Sequence, residues 1–92
     1  MQLEIVSPEA RIFSGEVNSV TVSGALGSFQ ILNNHAPVVS TLVKGRVKIQ
    51  GDLQLETEAL EHFTKEDQNT YFFDINSGAI EMRNNKIILL TD

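Results

Sequence analysis

A chain of 92 residues with a formal net charge of −5, two prolines and neither cysteine nor tryptophan has room for one domain with a thin core. Its 41% hydrophobic and 21% charged residues exclude a disordered tail, and the lack of cysteine excludes a disulfide scaffold, a thiolate zinc site and a thiol nucleophile. The acidic balance argues against nucleic-acid binding, which needs clustered Lys and Arg, and no apolar run approaches the roughly 20 residues that cross a bilayer.

In chain order, Leu3-Glu4-Ile5-Val6 alternates before the turn at Ser7-Pro8-Glu9. Arg11-Ile12-Phe13 runs into Ser14-Gly15, and Val17 to Val22 follows with Val20 and Val22 on one face. Gly24-Ala25-Leu26-Gly27 interrupts as a hairpin tip, and Ser28 to Leu32 resumes with Phe29 and Ile31 two apart. Asn33 to Pro37 is a loop by composition. Val38 to Val43 follows, then Lys44-Gly45, then Arg46 to Gln50, where Val47 and Ile49 point inward and the long polar side chains outward. Towards the C-terminus, Tyr71 to Ile75, Ala79 to Arg83 and Lys86 to Thr91 read as strands, the last two joined by Asn84-Asn85. Asn tolerates positive φ, so this pair suits a primed hairpin turn. Short strands with regularly spaced turns predict an all-β fold, a sandwich or a barrel, in one domain over residues 1–92.

The charge sits in one place. Between Asp52 and Asp67 lie six acids (Asp52, Glu56, Glu58, Glu61, Glu66, Asp67) against Lys65 alone, while the other residues balance six acids with six bases. Residues 51–69 therefore read as an acidic insertion. Within it Ala59, Leu60 and Phe63 have helical spacing, with Thr57 as N-cap, for a helix of two to three turns at most; Leu53 and Leu55 could instead extend a strand.

Catalytic signatures are absent. His35 and His62 share no metal-ligand spacing with a carboxylate, and Gly24-x-x-Gly27 precedes a strand rather than a helix, so it is not a phosphate cradle. No serine sits in a nucleophile elbow. His35, beside Ala36-Pro37, reads as a rigidly aimed loop residue or as a cap bonded to backbone. Lys44, Arg46 and Lys48 put three bases on one strand face, a solvated face or a docking face for an acidic partner or for the chain's own acidic segment. No cofactor or metal is expected, and a binding or structural module is favoured over an enzyme.

Several motifs, in order, carry a resemblance. Leu-x-Ile-Val-Ser (3–7), Phe-Ser-Gly (13–15), Val-x-Val-x-Gly (20–24), His-Ala-Pro (35–37), Lys-Gly (44–45) and Ser-Gly-Ala-x-Glu (77–81) before a final Thr-Asp resemble the ATP synthase epsilon subunit family. The matches run from Met1 to about Gln50 and from about Thr70 to Asp92; residues 51–69 match nothing in it. The resemblance implies the family's N-terminal domain, a flattened antiparallel β-sandwich of two small sheets, ending before the inhibitory C-terminal helical hairpin of longer relatives. It implies a non-catalytic rotor subunit that fastens the gamma subunit of the central stalk to the c-ring. Such a subunit lies peripherally on the cytoplasmic side of the bacterial plasma membrane.

On that basis Gly24, Gly27, Ser28 and Gln30 at the tip, and His35, Ala36 and Pro37 in the loop, are candidate contacts to the c-ring or the foot of gamma. Lys44, Arg46, Lys48, Leu60 and Phe63 are candidates for gamma docking. Asn33-Asn34 stands where the family commonly has Pro-Gly, and Ser28 and Gln30 stand where relatives often carry an acid and a further glycine. Two other readings compete. One is a small carbohydrate- or peptide-binding sandwich using an exposed aromatic from Tyr71, Phe72 or Phe73; the other is a minimal metalloenzyme using His35 and His62.

Overall fold

The computed structural model describes residues 1–92, with every side chain except that of Glu58. The elements are β1 (Gln2–Val6), β2 (Arg11–Glu16), β3 (Ser19–Gly24), β4 (Gly27–Leu32), β5 (Val38–Leu42), β6 (Gly45–Gln50), α1 (Thr57–Leu60), β7 (Thr64–Asp67), β8 (Thr70–Ile75), β9 (Gly78–Arg83) and β10 (Lys86–Thr91). Hydrogen bonding links the strands as β2-β1-β10-β9-β5-β3-β6-β8-β7, with β4 added on β3.

This path folds over at one place. β5 meets β3 at a single pair, Leu42 with Gly24, whereas β6 pairs β3 from Gln50–Ser19 to Lys48–Thr21. Val38 to Gln50 thus runs as one bent strand that changes sheets at Val43-Lys44, where the Val43 N–H donates to the Ser23 carbonyl at 3.0 Å. The bend divides the strands into a first half, β2-β1-β10-β9-β5, and a second half, β4-β3-β6-β8-β7. Their inward side chains form one core cluster, with Leu3, Ile5, Ile80, Met82, Ile87 and Leu89 from the first half meeting Val20, Val22, Ile31, Val47 and Ile49 from the second. Removing each such side chain from water contributes about 1.5–3 kcal/mol, which makes this alternating set the main support of the fold. The all-β fold expected from the alternation and the sandwich implied by the resemblance are the observed architecture.

Three local readings change. The sandwich is antiparallel except for β1 and β10, which pair in parallel from Gln2–Lys86 to Val6–Leu90. A parallel pair needs a long crossover, and here the crossover is nearly the whole chain. The expected two- to three-turn helix is a single turn, Thr57–Leu60, whose N-cap is Glu56 with no side-chain cap bond rather than Thr57. A lone uncapped turn gains few backbone hydrogen bonds and holds only where its neighbours pack. Leu53 and Leu55 lie outside any strand, Leu53 buried and Leu55 half-buried. Finally, residues 64–67 of the acidic stretch form β7, antiparallel to β8 through a turn in which the Asn69 N–H donates to Asp67 Oδ1 at 2.9 Å. The Asn84-Asn85 turn is as expected, with φ of 52° and 58°.

Two seams remain along the sides of the sandwich. At the first, between β2 and β7-β8, residues 51–63 cross the gap as a strap. The Phe63 ring lies 6.0 Å from that of Phe13 and 5.3 Å from that of Phe73. At the second, between β4 and β5, no comparable strap lies among the described residues.

Candidate docking surfaces

The tip of the β3–β4 hairpin is built on glycine for steric reasons. A Cβ on Gly24 would stand 2.9 Å from the Phe29 ring and 3.0 Å from the Gly27 carbonyl oxygen, and Gly27 has φ of 126°, where only glycine is at ease. The tight turn pushes Leu26 out until it is fully exposed, at 105%. Beside the tip a groove of about 430 Å³ runs along the second seam, lined by Leu26, Phe29, Val38, Val39 and Thr41 among others. Val39 is 77% exposed. Ser28 and Gln30 alternate with Phe29 and Ile31 and face outward from β4.

The His-Ala-Pro loop is at the other end of β4. Six residues of strand separate it from the tip by roughly 17 Å, so tip and loop do not form one compact site. The loop is exposed but pinned. The Asn34 N–H donates to Asn85 Oδ1 at 2.8 Å, and Asn85 Nδ2 donates to Asn33 Oδ1 at 3.0 Å. Asn33-Asn34 therefore replaces the stiffness of a Pro-Gly turn with side-chain clamps to the β9–β10 turn. His35 Nδ1–H donates to the Ala36 carbonyl at 2.7 Å, which is the backbone-capping geometry, with the ring at the surface.

One base of the stripe, Arg46, is engaged within the chain. Arg46 Nε donates to Asp74 Oδ1 at 2.9 Å and its guanidinium stands 5.0 Å from the centre of the Phe72 ring. The bond to Asp74 and its charge raise the Arg46 pKa, with Glu66 adding to them. Asp67 lies below the ordinary carboxylate range because the Asn69 N–H and the Thr70 hydroxyl bond to it, with Lys48 as a smaller attraction. The direct partner of the stripe is thus Asp74, outside the acidic segment, and Glu66 and Asp67 of that segment add only weaker attractions to Arg46 and Lys48. Phe63 is likewise used internally as the plug of the first seam, and Leu60 stays 53% exposed on the strap.

The surface missed by sequence reasoning is the outward face of the first half. Cross-strand pairing aligns Thr41, Ala79, Leu90 and Val6 in one row, and Val39, Glu81, Ile88 and Glu4 in the next. Leu90 is 51% exposed, and the apolar row ends beside the hairpin tip, because Leu42 pairs with both Gly24 and Gly78. Charges border the face, with Glu4 at 3.5 Å from Arg11 and 3.9 Å from Lys86, and Arg83 at 3.6 Å from Glu81. Ile87-Ile88-Leu89-Leu90 held the signal: an unbroken apolar run marks a strand covered on both faces, and the fold covers only one.

The aromatic residues do not form a glycan platform. Tyr71 and Phe73 are buried and Phe72 is half-buried under Arg46. His35 and His62 lie at different seams, His62 with its ring 6.4 Å from Phe73. Among the described residues no group of three or more His, Asp or Glu is placed to hold a metal ion, and no helix is long and apolar enough to cross a membrane.

The class defined by the fold and surface is a small β-sandwich with an exposed apolar face and a glycine-built hairpin tip. Comparison with known proteins gives the family. The model of the family described as "ATP synthase, Delta/Epsilon chain, beta-sandwich domain" matches residues 1–92, and the chain belongs to that family. It is similar to the ATP synthase epsilon chain of Chlorobaculum tepidum, 37% identical over 90 residues that cover 98% of this chain and 86% of the relative. It is also similar to that of Chlorobium limicola, 36% identical over 91 residues covering 99% and 88%. The epsilon chain of Leptospira interrogans is 34% identical over 92 residues, covering all of this chain and 61% of its own length. Among solved structures, a chain in the central stalk and c-ring of the Tetrahymena thermophila mitochondrial ATP synthase shares the fold at a TM-score of 0.72 and 15% identity, over 99% of this chain and 62% of that one. A chain of the Euglena gracilis enzyme does so at 0.73 and 16%, over 97% and 48%.

Proposed function

We propose that the chain is a non-catalytic rotor subunit of a bacterial F-type ATP synthase, fastening the gamma subunit of the central stalk to the c-ring. The observation that carries this reading is the continuous apolar surface from Leu26 through Val39 to Ala79, Leu90 and Val6, bordered by ion pairs. Large apolar side chains on the outward face of a sheet mark a contact with another protein. Membership of the epsilon-chain family supports the identity of that partner.

The mechanism is mechanical. Ion flow turns the c-ring, and the sandwich transmits torque because two half-sheets around a close-packed core resist shear. Gamma docks on the apolar face of the first half. This moves the gamma contact away from Arg46 and Phe63, which the chain uses internally, and from Lys44 and Lys48 on the same side as Arg46, and leaves Leu60 as a secondary contact. The tip (Gly24, Gly27, Ser28, Gln30) and the clamped loop (His35, Ala36, Pro37) mark the two ends of the second seam. A partner covering that seam end to end, gamma foot or c-ring loops, touches both. The chain is then held peripherally on the cytoplasmic side of the plasma membrane through its partners.

The test is reconstitution of the complete complex with and without the chain. Omission is expected to loosen the coupling of ATP hydrolysis to ion pumping, and Leu90→Asp is expected to reproduce the loss while the isolated chain stays folded. Full coupling without the chain would overturn the reading. Glycan binding without a gamma complex would favour the small binding module instead.

A further inference from the structure

The second seam holds a feature that apolar contact alone does not satisfy. β5 pairs β9 along its whole length, from Val38–Met82 to Leu42–Gly78, but meets β3 only at Leu42. In an antiparallel pair alternate residues turn their N–H and C=O away from the neighbouring strand. From Val38 to Thr41 those groups line the groove beside the hairpin tip, with Phe29 on its far side.

The strand edges at the first seam are defended, whereas β5 and its neighbour across the groove, β4 (Gly27–Leu32), carry no charge. At the first seam β7 is Thr64-Lys65-Glu66-Asp67, all exposed, with a register shift between Lys65 and Asp67. β2 begins with Arg11 and ends with Glu16, and the strap lies against it. Charge, bulges and covering segments are the usual means of keeping foreign strands off an edge. β5 reads Val38-Val39-Ser40-Thr41-Leu42, with no charge, no proline and no bulge within the strand. It is uncharged and β-branched, the composition that invites pairing.

We propose that one extended segment of gamma adds to the free edge of β5, filling the groove between Phe29 and Val39 and ending at the hairpin tip. This rests on the rotor reading for the identity of the partner. An extended segment is required because any partner that covers the seam takes the free groups of β5 out of water, and a buried unpaired N–H or C=O is costly. A helix has its backbone groups already paired and cannot supply bonds there, whereas a strand can. About 14 Å of edge is available from Val38 to Leu42, room for four or five residues.

Hydrogen exchange of the backbone amides, in the free chain and in its complex with gamma from the same organism, tests this. Alternate amides between Val38 and Thr41 should exchange quickly in the free chain and slow by about a hundredfold or more in the complex. Val39→Lys, which defends the edge, should weaken the complex by about tenfold or more with an unchanged melting temperature, and Val39→Thr, which keeps the β-branched backbone preference, should bind as the parent does. A gamma complex in which these amides exchange as in the free chain would overturn the strand addition and leave the rotor reading standing. Self-association of the chain through β5, protecting the same amides without gamma, would assign the edge to a second copy and overturn it too. Failure to form any gamma complex would remove the rotor reading and this inference together.

Discussion

The two seams of the sandwich meet the same problem in opposite ways. Between β2 and β7 the chain spends residues 51–63 on closure: Leu53 is buried, Phe63 wedges between Phe13 and Phe73, and the outermost strand is charged. Between β4 and β5 it leaves a groove edged by unpaired backbone and exposed Leu26 and Val39. The acidic segment is thus a local closure, and the proposed docking surface lies at the other seam.

The sharpest way to break this contrast is to unplug the closed seam. Phe63→Ala removes a half-buried ring in contact with two others and leaves a gap between the half-sheets. Truncation of a buried Phe costs about 3–5 kcal/mol, so about 2–3 kcal/mol is expected for this partly covered ring. For a domain of this size that lowers the melting temperature by roughly 10–20 °C, measurable by calorimetry. A change of only a degree or two would mean that the strap is ornamental and the seams are alike.

At the open seam the corresponding experiment fills rather than empties. Gly24→Ala places a methyl against the Phe29 ring and the Gly27 carbonyl. Phe29 has groove space to move into, so about 1–2 kcal/mol of destabilisation is expected, at the low end for overpacking. The shifted ring should also weaken gamma binding, read by titration calorimetry, which Phe63→Ala should not do directly.

How much of this the sequence disclosed depends on what each residue answers to. Val47, Ile49, Val20, Val22, Phe29 and Ile31 were legible because strand period alone sets their face, and the Asn84-Asn85 turn because positive φ selects its residues. The strap was misread as a longer helix because Ala59, Leu60 and Phe63 have helical spacing by coincidence: Phe63 is held by the rings of Phe13 and Phe73, distant in sequence. β7 was hidden because its residues are polar on both faces, which erases alternation. Arg46 looked free because its cross-strand partner, Asp74, is visible only once register is known. The separation of the tip from the His-Ala-Pro loop likewise needed the direction of β4.

A smaller effect compares the two faces. The outer face of the second half mixes charge with apolar groups, with Lys48 opposite Phe72, Arg46 opposite Asp74 and Leu32 exposed on β4, whereas the outer face of the first carries Leu90 and Val39. Leu90→Asp should therefore leave stability within about 0.5 kcal/mol, as an exposed position predicts, yet sharply weaken gamma binding. Lys48→Asp should leave gamma binding close to the parent's. Equal losses from both would mean that gamma grips the sandwich on both faces.

The smallest expected effect lies in the turn between β7 and β8. Asp67 accepts the Asn69 N–H at 2.9 Å, and the Thr70 hydroxyl bonds to it as well, so its pKa sits below the ordinary aspartate value of 3.8. A carboxylate whose pKa is depressed on folding stabilises the folded state above its unfolded pKa. That contribution is lost as pH falls through the depressed folded value. Asp67→Ala should thus melt slightly below the parent at neutral pH, and the two should converge under acid conditions below the depressed pKa. Because the cause is chiefly hydrogen bonding, with Lys48 only a minor contributor, added salt should leave most of the difference in place. The partner-facing seam carries no such turn carboxylate. Gamma binding by Asp67→Ala should therefore match the parent at neutral pH, and a loss there would tie the strapped seam to docking after all.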